Sequence, residues 1–165
     1  MGSQVLQERA LGATPPWDLV SLLARCSRRA CLLMHHYYQR RFATPERMAL
    51  LAQCVAFVET AANRKTAYQS DGQQLIWNLR QSASACLDHD SDLIAAGGED
   101  AEAYSVVECA RYAVEAALAA SVGDRAVVEK AVLDAFNAAE QAPTTESGQQ
   151  VMVQGLEEDV ECLVS

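Results

Sequence analysis

AYSVVECARYAVEAALAA, residues 103–120, lies within a helix expected over about Glu99–Ser121. Tyr104, Val107, Ala110, Val114, Ala117 and Leu118 recur at the three- and four-residue spacing that places them on one face of an α-helix. Ala110 and Ala117 keep that face shallow, so a second helix can approach closely. Glu108, Arg111 and Glu115 are spaced for ion pairs within the helix, worth about 0.2–0.5 kcal/mol each. A face of this kind has to be covered by other helices, and the sequence on either side supplies them.

Downstream, Val122-Gly123-Asp124 stops this helix and caps the next, which runs to about Glu140 with Val128, Ala131, Val132, Ala135, Phe136 and Ala139 inward. Residues 141–150 read as a polar linker. Residues 151–165 read as a C-terminal helix that packs on the bundle through Val153, Leu156, Val160 and Leu163. Gly155 weakens that helix by about 1 kcal/mol relative to alanine. Upstream, Gly97-Gly98 breaks the chain. The preceding helix begins near Ser70, where Ser70-Asp71-Gly72-Gln73 has the spacing of a capping box, and buries Leu75, Ile76, Leu79, Ala83, Cys86 and Leu87.

Thr44-Pro45-Glu46 starts the second helix, with a capping hydroxyl, a proline suited to the first helical position and a carboxylate at the positive end. Met48, Leu51, Val55, Val58 and Ala62 form one stripe and Leu50, Cys54, Phe57 and Ala61 another, an arc wide enough to place this helix at the centre. The first helix starts at Thr14-Pro15-Pro16-Trp17 and runs to about Phe42, burying Leu19, Leu23, Cys26, Ala30, Leu33, Met34 and Tyr37. Residues 1–13 read as a flexible lead-in. No run alternates with period two, so the expected fold is all-α: a single-domain bundle of five to six helices, five of them within residues 14–140.

The 165 residues carry a net charge of −9, distributed unevenly. Residues 1–66 hold nine Lys/Arg and four Asp/Glu, a net of +5, whereas residues 67–165 hold four and eighteen, a net of −14. The acidic total argues against nucleic acid, whose phosphates are neutralised by Lys and Arg. No apolar run approaches the roughly 20 residues that span a bilayer, and no membrane association is expected. No signal peptide is apparent, and Leu6 stands where a myristoylation motif needs Ser or Thr. Six cysteines with no Cys-x-x-Cys pair fit reduced core residues, and the expected location is the cytoplasm.

Asp88, Asp90, Asp92 and Glu99 occupy positions 1, 3, 5 and 12 of a calcium loop, but Leu93 stands where the loop must turn on glycine. The plainer reading is an exposed acidic connection. Cys86, His89 and Asp92 fall short of the four ligands of a structural zinc site. No nucleophile elbow and no phosphate- or dinucleotide-binding glycine loop is present, so neither catalytic residues nor a cofactor are expected. The clearest surface feature is a basic stripe on the first helix, Arg25, Arg28, Arg29, His36 and Arg40. It reads either as a docking face or as a face solvated or paired with the acidic second half.

Cys26-Ser27-Arg28, the stretch Ala103-Tyr104-Ser105-Val106-Val107-Glu108-Cys109, and Val153-Gln154 followed by acidic residues and Leu163 resemble segments of the first, fourth and last helices of domain-of-unknown-function family 416, an all-helical bacterial group. The Pro-Asn-Tyr that follows the family's Cys-x-Arg is absent here. The resemblance implies a helical fold and transfers no catalytic residue. Small acidic helical bacterial proteins also resemble immunity proteins, inhibitors and adaptors. The functional expectation is therefore a non-enzymatic protein that binds another, basic protein, with Arg25, Arg29, His36, Arg40, Glu157 and Glu158 as contact candidates. The alternative is a metal- or calcium-dependent protein or enzyme built on the Asp88–Glu99 segment.

Overall fold

A computed structural model describes residues 11–37, 44–89, 99–142 and 146–164. They form an all-α single-domain bundle: α1 Pro16–Tyr37, α2 Pro45–Arg64, α3 Gln69–His89, α4 Glu99–Ser121, α5 Arg125–Gln141 and α6 Glu146–Val164. No strand occurs among the described residues.

The helix at the centre is α4, not α2. Helices α1, α2, α3 and α5 all pack on α4. Its Ala103, Val106, Cys109, Ala113, Val114 and Ala116 are all buried, which leaves little of its circumference to solvent. Small side chains all round a helix allow neighbours to close on every side. The wide apolar arc of α2 does not have this effect, because Ala49, Ala52 and Ala56 remain exposed.

Local chemistry sets the boundaries. The Thr44 hydroxyl accepts a 3.2 Å hydrogen bond from the Arg47 amide, and Pro45 opens α2. Lys65 closes it in the left-handed region at φ 54°. Helix α3 begins at Gln69, so Ser70 lies inside it and the expected capping box does not form. Its first turn is tied to α4 instead: the Gln69 amide donates to the Leu118 carbonyl at 3.1 Å, and the Ser121 hydroxyl bonds both the Ala67 amide and its carbonyl. Gly72 is buried in this contact, and a Cβ there would collide with the Leu118 side chain. Between α4 and α5, Gly123 takes φ 77° and Asp124 caps the Val127 amide at 3.3 Å.

Leu11 and Thr14 are held to the start of α5, their carbonyls accepting from Arg125 at 2.7 and 2.8 Å. Helix α6 begins at Glu146, within the stretch read as linker, and packs on α1 and α5. Met152, Gly155, Leu156, Asp159 and Val160 form its buried face. Val153 is only half-buried, because the true stripe runs through Met152 and takes in one glycine and one carboxylate.

Candidate functional site

The basic stripe of α1 does not form one open face. Arg28 pairs with Glu59 of α2. Arg29 grips the buried Asp159 of α6 with two hydrogen bonds, 2.9 and 3.0 Å long. That bidentate pairing raises the guanidinium pKa above its ordinary value, with the charge of Glu158 adding to it. Gly155 makes the grip possible: a Cβ there would stand 2.6 Å from an Arg29 guanidinium nitrogen. Arg25 is exposed, with no ion pair among the described residues. Arg40 lies outside the described residues, as does the side chain of His36.

Glu157 is half-buried in a groove of about 620 Å³ between α5 and α6, beside Glu140, Gln149, Gln150 and Val153. Glu158 is exposed and accepts from the Gln154 amide at 3.1 Å. Of the acidic segment, Asp90 and Asp92 lie outside the described residues, as do the side chains of Asp88 and Glu99. Among the described residues no cluster of His, Cys, Asp and Glu is placed to hold a metal ion. No helix among them is long and apolar enough to cross a membrane.

Cys26, Cys54 and Cys109 are buried and Cys31 is half-buried, as core residues are, whereas Cys162 on α6 is exposed, against the expectation of a core residue, and the side chain of Cys86 lies outside the described residues. Cys26 and Cys109 are fully buried with their sulfurs 3.7 Å apart, and the Ser27 hydroxyl is 4.0 Å from the second. Burial pushes the Cys31 and Cys54 thiols up to about 12. Cys26 is raised by its hydrogen bond with Cys109 and by burial. In the folded state these three are held protonated at neutral pH and are poor nucleophiles.

Periodicity alone missed the groove between α2 and α3. Helix α2 packs chiefly on α1 and α3 chiefly on α4, and the two touch each other little. The groove encloses about 560 Å³, with Phe57, Ala61 and Leu75 among its apolar lining and Gln53, Thr60 and Asn78 among its polar lining. Arg64, Tyr68 and Asp71 also line it. Tyr68 is 68% exposed, and Trp77, on the outer side of α3, is 60% exposed. Large aromatics are seldom left so open, and contact energy at protein interfaces concentrates on such residues.

A third polar feature is internal. Arg111 pairs with the buried Glu108 and bonds Glu115 at 2.7 Å, its guanidinium 4.5 Å from the centre of the Tyr112 ring. Arg80 reaches Glu115 at 3.9 Å, joining α3 to α4. The Arg111 pairs lie within α4, so these charges are matched locally. No family model, curated protein or solved structure matches the chain.

Proposed function

We propose that this protein is a non-catalytic recognition module that binds another protein, seating an apolar segment of a basic partner in the α2–α3 groove beside Tyr68. The observation that carries this reading is the exposed aromatic ring of Tyr68 on a groove that Phe57 and Leu75 also line. Such a surface supplies anchor residues, and affinity in protein complexes rests on a few of them. The net charge of −9 acts at longer range, favouring encounter with a basic partner and raising the association rate at low salt.

Two labelled amphipathic helices of leucine with lysine and of leucine with glutamate test this reading by fluorescence anisotropy. The lysine helix is expected to bind, more tightly at low salt. Tyr68→Ala is expected to weaken it by about tenfold, equivalent to roughly 1.4 kcal/mol. The glutamate helix is expected not to bind. Equal binding of both helices, or no loss in Tyr68→Ala, would reject the reading.

A further inference from the structure

The buried thiols of α1 and α4 and the charged latch of α6 share one site. The sulfurs of Cys26 and Cys109 are 3.7 Å apart, although the residues are 83 apart in sequence. A disulfide needs about 2.05 Å between sulfurs, so a small adjustment of two packed helices would close it. No oxidant reaches the pair in the closed molecule, since both residues are fully buried. Cys26 lies three residues before Arg29, within the field of both that guanidinium and the carboxylate of Asp159.

We propose that Cys26 and Cys109 form a redox modification site, an intramolecular disulfide made with a peroxide as oxidant and gated by α6 through the Arg29–Asp159 latch. Opening the latch changes the electrostatics at Cys26. Asp159, which disfavours the thiolate, leaves with α6; Arg29, which favours it, stays on α1; and the side of α1 that α6 covers opens to solvent. The Cys26 thiolate then attacks a peroxide oxygen, the O–O bond breaks, and the released alkoxide or hydroxide takes a proton. Cys109 gives up its proton and attacks the resulting sulfenic sulfur, displacing hydroxide, which leaves as water. In sum, two thiols and one peroxide give one disulfide, one alcohol (or water) and one water. The inference rests on α1, α4 and α6 and does not depend on the α2–α3 groove.

Hydrogen peroxide treatment of the full chain, followed by thiol blocking and non-reducing peptide mapping, tests it. The expected product is a peptide joining Cys26 to Cys109, two hydrogens lighter than its parts. Asp159→Asn is expected to form it about tenfold faster, as a loss of roughly 1.4 kcal/mol from the closed state requires. Gly155→Ala is expected to act the same way, by displacing the Arg29 guanidinium. The buried Cys54 reports global unfolding: it is expected to stay unmodified while the pair reacts. The proposal is overturned if Cys26 and Cys109 are not joined, or if both variants match the wild-type rate. It is also overturned if the crosslink forms only together with modification of Cys54. Should one variant fail to fold, the other and the wild type in sub-denaturing urea give the same comparison.

Discussion

At the scale of single residues, two glycines carry more of the structure than their helical settings suggest. Gly72 lies in the first turn of α3 against Leu118, and Gly155 lies under Arg29. Alanine at an ordinary helical position gains up to about 1 kcal/mol over glycine. Gly72→Ala is expected instead to cost about 1–3 kcal/mol, the usual penalty of overpacking, because its new methyl meets the buried Leu118 side chain of α4. Urea denaturation checks this, and a stabilised variant would contradict the contact. The Arg29–Asp159 pair invites a double-mutant cycle. Arg29→Ala is expected to cost about 1.5–3 kcal/mol, since it leaves a buried carboxylate without its partner. Adding Asp159→Leu is expected to recover part of that loss, and strictly additive costs would show that the two residues do not act together.

At the scale of elements, most helices were legible because apolar spacing and caps agree. Thr44-Pro45 and Gly123-Asp124 announce their helices in residue types whose chemistry is local. What escaped the sequence depends on neighbours. The capping box at Ser70 lost to side chains of α3 and α4 that bond across the interface. The centrality of α4 was hidden because alanine reads as neutral until other helices close on it. The start of α6 was hidden by its polar first turns, and its buried face by Gly155 and Asp159, which count against a core in any hydropathy pattern. The α2–α3 groove depends on how two helices sit relative to each other, which the apolar spacing of neither records. The segment Asp88–Glu99 calls for a separate measurement. A calcium site held at 100 times its dissociation constant would add about 2.7 kcal/mol to stability. With Leu93 at the glycine position, the melting temperature is expected to be the same in calcium and in chelator. A rise in calcium that Asp88→Ala abolishes would restore the calcium reading.

At the scale of the whole molecule, the buried thiols make stability depend on alkaline pH. Cys31 and Cys54 ionise at about 12 in the folded chain and near 9.0 without the fold. The folded state therefore holds protons that the unfolded state releases. This contribution is intact below pH about 9 and is lost progressively as pH rises to about 12. Tyr104 and Tyr112, also raised by burial, act in the same direction. Urea midpoints are expected to fall over this range, and Cys54→Ala is expected to flatten part of the fall. A midpoint that does not change would contradict the burial of these groups. Under the proposed function, the net charge of −9 favours a basic partner and the apolar groove fixes where that partner docks.

Backbone amide shifts recorded while the leucine–lysine helix is titrated into the full chain locate the bound peptide. Shifts are expected to concentrate on the groove-lining positions around Phe57, Thr60, Tyr68, Leu75 and Asn78. Shifts confined to the acidic side of α5 and α6, or none at saturating peptide, would contradict docking in the groove.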